Sequence, residues 1–358
     1  MKKTLLTICL VWMCFSLSAQ KIIDLSGKWS FSIDRQDNGE KEKWFSHTLN
    51  DFINLPGSMP EKLKGDEVTA KTQWTGSLYD SSYYYNPYME KYRKEGNIKF
   101  PFFLTPDKHY VGAAWYQKEV NIPADWKGER ILLFLERPHI ETTVWVNGQK
   151  TGMQNSLCVP HQYDITHYVR PGKCTITIRV DNRIKEINVG PDSHSITDQT
   201  QGNWNGIVGR ICLQTTPKTY FDDIQIYPEP EQKLARVKVV IKGTGTAKVK
   251  LSAESFNTDK KHIVPAIQQE IKLNKGVTET EMVLPMGNDM LLWDEFHPAL
   301  YKLKAEVTNG KKTEIKEIQF GMRRFEIKGK WFYVNGRKTQ LRGTVENCDF
   351  PLTGYAPM

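Results

Sequence analysis

Residues 113–152 read "AAWYQKEVNIPADWKGERILLFLERPHIETTVWVNGQKTG". Within this stretch "ILLFLE" (131–136) is a continuous apolar run of strand length, the pattern of a strand buried on both faces. "VWVNGQKTG" (144–152) follows as a hairpin signal: Asn147-Gly148 suits a type I′ turn, in which both central residues need positive φ. "FYVNGRKTQL" (332–341) repeats that signal at Asn335-Gly336.

Working outward, "KWSFSID" (28–34), "TITIRVD" (175–181), "ARVKVVIKG" (235–243) and "AKVKLSAES" (247–255) alternate polar and apolar residues. Period-two alternation between turn clusters predicts antiparallel sheets with one wet face. No segment sustains helical periodicity, so the chain reads as all-β, two β-sandwiches in series. A boundary is placed near Thr216-Pro217, where "GRICLQTTPK" closes one set of strands and "YFDDIQIYPEPEQ" starts another. Between Gly65 and Tyr116 lies an insertion holding "WTGSLYDSSYYYNPYMEKY" and "IKFPFFLTPDKHYVGAAWY". Its rings fit neither alternation nor helical spacing. They serve either to tether a long loop or to stack on the apolar faces of sugars.

The chain has 358 residues and a formal charge of +8, with lysine and arginine interleaved with acids, as in "GDEVTAK" and "NGKKTEIKEI". A nucleic-acid binder would gather its cations on one face, so no nucleic-acid partner is expected. The opening "MKKTLLTICLVWMCFSLSAQ" has a basic start, an apolar run from Leu5 to Leu17 and a small residue, Ala19, before Gln20. That is a secretory leader, too short and wrongly flanked to span a membrane. Beyond it, Cys158, Cys174, Cys212 and Cys348 are too few for a disulfide scaffold and lack zinc spacing, so they are expected as small buried apolar residues. The eight histidines are scattered without ligand spacing, and neither a Gly-x-Ser-x-Gly elbow nor a phosphate-binding glycine loop occurs. No metal or other cofactor is expected.

Read in order, a series of phrases resembles the N-terminal part of glycoside hydrolase family 2 enzymes, which include β-galactosidases, β-glucuronidases and β-mannosidases. These are "LSGKWSFSID", "INLPGS", the 113–152 stretch, "YDITHYVRPGKCTITIRVDN", "GNWNGIVGRICL", "HPALYKL" and "FGMRRFEIKGKWFYVNGRKTQLRGT". After the leader (1–19), the resemblance implies a jelly-roll sugar-binding domain (20–217), an immunoglobulin-like β-sandwich (218–321) and the start of a (β/α)8 barrel (322–358). It further implies hydrolysis of β-O-glycosidic bonds in an oligosaccharide or polysaccharide through two glutamates, and the leader implies that the enzyme is exported, periplasmic or secreted. The acid/base of this family follows an asparagine, yet no Asn-Glu pair occurs. The chain is therefore expected to stop as the barrel begins, to lack both glutamates and to be inactive alone, and no catalytic residue is assigned.

Substrate-contact candidates carried by the resemblance are Arg342, at the end of the first barrel strand, and the loop "DQTQGNWNGIVG" with Asp198, Asn203, Trp204 and Asn205. For Trp204, sugar contact and packing under a loop both remain open. Asn347 is a further candidate for a polar contact, or else a turn residue. Around it Val345, Glu346, Asn347 and Cys348 depart from the galactosidase-like pattern, which is regained at Pro351 and Gly354. Carboxylates such as Asp181 and Glu346 are expected at the surface or in turns. A non-catalytic carbohydrate-binding or adhesion module is the alternative function.

Overall fold

The computed structural model describes residues 21–75, 81–99, 105–157, 159–185, 198, 202–274, 276–344, 350 and 352–355. Two units emerge, one of Lys21–Thr216 with Arg342–Met358 and one containing Pro217–Leu341. The calls on the leader, Glu346, Asn347, Cys158 and Cys348 lie outside the described residues.

In the first unit, strand Gly172–Asp181 carries "TITIRVD" near the middle of a six-stranded sheet. Its neighbours run in the order Gln149–Asn155, Glu141–Val146, Gly172–Asp181, Ala113–Ile122, Gly27–Asp34 and Asp51–Leu55, all antiparallel. A second antiparallel sheet takes Ile22–Asp24, Gly206–Thr216, Arg130–His139 and His161–Asp164, with Gly57–Ser58 paired to the start of Gly206–Thr216. Side chains alternate across a strand, so Ile176, Ile178 and Val180 face the second sheet and meet Leu133, Leu135, Ile211 and Leu213 in one core. Each such fully buried side chain contributes about 1.5–3 kcal/mol from apolar area alone.

The expected wet face of "TITIRVD" is dry instead. Thr177, Arg179 and Asp181 are buried, because residues 35–49 fold over this side of the sheet. The Gln117 amide donates to the His47 carbonyl and to Thr177 Oγ1. Phe45 stacks on Trp145 at 5.2 Å, and Trp145 on Trp115 at 4.9 Å. The alternation of threonines gave no hint of a cover drawn from far away in the sequence. "ILLFLE" agrees with its reading: Ile131 to Leu135 are buried on both faces, with the Arg210 guanidinium 4.5 Å over the Phe134 ring. Cys174 and Cys212 are unpaired and buried, and burial pushes the Cys174 thiol up to about 11.

The second unit is a seven-stranded sandwich. One sheet holds Tyr220–Glu229, Leu234–Lys242 and Val277–Pro285. The other holds Ile263–Leu273, Gly245–Phe256, Leu300–Asn309 and Lys312–Phe320. Here the alternation is kept: Ala235, Val237, Val239 and Ile241 are wholly buried while the residues between them are partly open. A three-stranded antiparallel meander follows, Phe325–Lys328, Trp331–Val334 and Arg337–Thr339. Both predicted hairpin turns have their positive φ pairs, Asn147 (50°) with Gly148 (78°) and Asn335 (49°) with Gly336 (77°).

The insertion forms a two-residue ladder, Asp66–Glu67 with Lys108–His109, a four-residue α-helix Ser82–Tyr85 and a 3-10 turn Pro87–Tyr92. Tyr83 is its buried anchor, with its hydroxyl donating to the Tyr92 carbonyl, whereas Tyr85 and Tyr88 stand 71% and 85% exposed. Among the described residues no helix is long and apolar enough to cross a membrane.

Candidate functional site

Strand Gly206–Thr216 begins where it crosses Gly57–Ser58, and a Cβ on Gly206 would lie 2.4 Å from the Gly57 carbonyl oxygen. Only glycine permits that approach. The crossing holds residues 202–205 at the end of the first sandwich, beside Asp198 and the turn after strand Gly172–Asp181.

The loop side chains expected to reach toward a sugar are bonded inward. Asn205 is fully buried. Its amide nitrogen donates to the Gly112 and Val180 carbonyls, and its oxygen accepts from the Tyr116 hydroxyl at 2.7 Å. Burial holds that phenol well above its ordinary pKa. Asn203 donates to Thr75 Oγ1 and the Asn182 carbonyl and accepts from the Asn182 amide at 3.0 Å. Asn182 in turn donates to the Tyr110 carbonyl and accepts from the Gly112 amide. Asp198, 2% exposed, accepts from the Asn203 and Thr75 backbone amides at 2.8 and 2.6 Å, and its Oδ2 lies 3.8 Å from His109 Nε2. These residues knit the insertion, the strand end at Asn182 and the loop before Gly206 into one buried polar network. Arg342 is exposed, outside any strand, and takes no part in it among the described contacts.

Trp204 is 7% exposed. The His139 ring stacks on it at 4.6 Å and 15°, and Tyr355 meets it at 5.5 Å. Gly354, at φ 79°, lies so close that a Cβ would come within 2.8 Å of the indole. The His139 Nε2 is buried without a hydrogen-bond partner. Burial pushes this imidazole down to about 4 against the opposing pull of Asn203 and Asp198, so it is neutral near pH 7. Tyr355 donates to Glu61 Oε2 at 2.5 Å, and Ser58 Oγ donates to the Thr353 carbonyl at 2.5 Å. Residues 352–355 are thereby seated on the sandwich. Burial first, then the hydrogen bond to Glu61 and its charge, raise the Tyr355 hydroxyl to about 12. Burial would raise the Glu61 carboxyl too, but bonds from Lys62 and Tyr355 outweigh it and leave it below the usual range.

Asp181 corrects its sequence reading, for it is wholly buried rather than at the surface or in a turn. Its carboxylate meets Arg179 at 2.9 Å, Arg183 at 2.6 Å and Lys185 at 2.7 Å. Arg179 and Lys185 also reach Glu141, and both arginines reach Asp37. Burial opposes the charge of Asp181, yet the bonds from Arg183 and Lys185 and the charge of Arg179 hold its pKa far below normal. Such a carboxylate is a structural counter-ion, not a proton donor. Among the described residues there is no group of three or more histidine, cysteine or acidic side chains that could hold a metal ion. Sequence reasoning passed over Asn182, His139, Glu61 and Tyr355. The one available signal was an asparagine placed directly after a buried strand at Asn182.

The model described as "Glycosyl hydrolases family 2, sugar binding domain" matches residues 22–217, and that described as "Glycosyl hydrolases family 2" matches residues 219–323. A β-glucuronidase of Paenibacillus borealis is 23% identical over 355 residues, 94% of this chain and 51% of the relative. The large subunit of a β-galactosidase of Latilactobacillus sakei is 24% identical over 339 residues, 92% of this chain and 51% of the relative. The solved β-glucuronidase of Ruminococcus gnavus superposes with a TM-score of 0.63 at 19% identity, over 91% of this chain and 49% of that one, a likeness of fold. This chain spans about half the length of these relatives. With two consecutive domain models matched across nearly all of residues 22–323, the chain belongs to glycosyl hydrolase family 2.

Proposed function

We propose that this chain supplies the sugar-binding and immunoglobulin-like domains of an exported β-glycosidase that removes terminal β-linked sugars. The observation that carries this reading is the ordered match of two family 2 domains, together with relatives that are β-glucuronidases and β-galactosidases. Retaining hydrolysis needs a nucleophilic carboxylate and an acid/base about 5–5.5 Å apart, the acid with a raised pKa. In this reading both are glutamates outside these 358 residues. The buried acids brought together here, Asp181 and Glu141, share Arg179 and Lys185, which suits them to structure rather than to proton transfer. Arg342 is the group proposed to meet the substrate or to orient a catalytic carboxylate, as a guanidinium fork can. Export rests on the leader, with cleavage before Gln20.

The test is to incubate the 358-residue chain with chromogenic β-glucuronide, β-galactoside and β-mannoside and to determine the mature N-terminus by mass spectrometry. No turnover and a chain starting at Gln20 are expected. Turnover abolished by a substitution within this chain would overturn the assignment of the carboxylates. A second reading, a carbohydrate-binding module acting without hydrolysis, is favoured by the exposed rings of Tyr85 and Tyr88. It predicts saturable glycan binding that is lost in Tyr85→Ala and Tyr88→Ala.

A further inference from the structure

The insertion ladder and the end of strand Gly27–Asp34 border an open cleft of about 460 Å³, within the range of about 300–1,000 Å³ typical of small-molecule sites. His109 and Tyr110, 7% and 6% exposed, line it. Its walls include Arg35, Asp66, Thr72 and Gln73. Val111, 37% exposed, adds an apolar patch.

The charges select among ligands. Arg35 is paired with Asp66, and Glu67, also lining the cleft, is paired with Lys108. Each carboxylate already has its cation, which disfavours a metal ion. With both cations already engaged by carboxylates, the cleft offers no uncompensated positive charge, which disfavours phosphate, nucleotides and acidic sugars. Carboxylate, guanidinium, carboxamide and hydroxyl groups around one space can give and take hydrogen bonds from vicinal hydroxyls. The Val111 patch suits the C–H face of a ring.

We infer that this cleft binds one neutral hexopyranosyl unit of a glycan, a saccharide site on the insertion side of the sandwich. The inference rests on the reading of this domain as sugar-binding, but the two can fail separately. The ¹⁵N–¹H spectrum of the full chain is titrated with methyl β-D-galactoside, β-D-glucoside and β-D-mannoside, with methyl β-D-glucuronide as the acidic control. Saturable shifts at Thr72, Gln73, His109 and Val111 are expected with at least one neutral glycoside, at least tenfold weaker with the glucuronide. A Thr72→Ala/Gln73→Ala variant and, separately, Arg35→Met are expected to weaken binding at least tenfold while leaving the spectrum of the second sandwich unchanged. Shifts confined to the Trp204 loop or to Tyr85 would overturn the cleft assignment and leave sugar binding standing. No shifts with any neutral glycoside, or equal affinity for the glucuronide, would also overturn it.

Discussion

Tyr355 and Glu61, 294 positions apart, are joined by a 2.5 Å hydrogen bond from phenol to carboxylate. Together with Ser58 and Thr353, and with Gly354 against Trp204, that bond fixes residues 352–355 to the first sandwich. A hydrogen bond to a charged acceptor is worth about 1.5–3 kcal/mol, and partial exposure of Glu61 lowers this to about 1 kcal/mol. Tyr355→Phe is therefore expected to raise amide exchange of residues 352–355 about fivefold without moving the global unfolding midpoint. Unchanged exchange would show that the segment is held by packing on Trp204 alone.

The same seat is expected to respond to acid. The pKa of Glu61 is depressed in the folded chain. Its contribution is therefore complete above the unfolded value, about 4.3, and is lost as pH falls through the lower folded one. Exchange of residues 352–355, corrected for intrinsic rates, is expected to quicken below about pH 4. In Glu61→Gln that acid step should vanish. Its persistence in the variant would assign it to another group.

Asn205→Ala strips the Tyr116 hydroxyl of its acceptor and two buried carbonyls of a donor each. A loss of about 3 kcal/mol in urea unfolding is expected, because the stranded groups stay desolvated. Adding Tyr116→Phe removes one stranded group, so the double variant should lose less than the sum of the singles. Strict additivity would contradict the pairing.

Asp181→Asn leaves Arg179, Arg183 and Lys185 short of a shared counter-ion. Breaking a buried ion pair costs about 3–5 kcal/mol, and this variant is expected to fall in that range. Because the folded pKa of Asp181 is lowered, its stabilisation is present above the unfolded value, about 3.9, and fades as pH drops toward the much lower folded one. The variant's stability should therefore fall less steeply than the parent's between pH 4 and pH 2 (about the window set by those values). Parallel curves would show that the cluster does not depend on this charge.

Whatever rests on neighbours in sequence was legible. The Asn-Gly turns at 147–148 and 335–336 and the alternation of Ala235, Val237, Val239 and Ile241 follow from φ and from period two, and the structure keeps both. Partners brought from afar were not legible. The dry outer face of Thr177 and Arg179 needs residues 35–49 as its cover, which strand periodicity cannot announce. Asparagines in a loop look alike whether they face water or, as Asn203 and Asn205 do, complete hydrogen bonds for carbonyls and a phenol contributed by other segments. Tryptophan is equally ambiguous: the indole of Trp204 is covered by His139, Gly354 and Tyr355.

Asn182, Asn203 and Asn205 tie the sandwich rim with uncharged amides. Ionic strength screens charges and protons neutralise carboxylates, but an amide tie yields to neither. These amide ties thus keep their hold in brine and in sour media alike, and the response of the rim to acid is left to carboxylates such as Glu61.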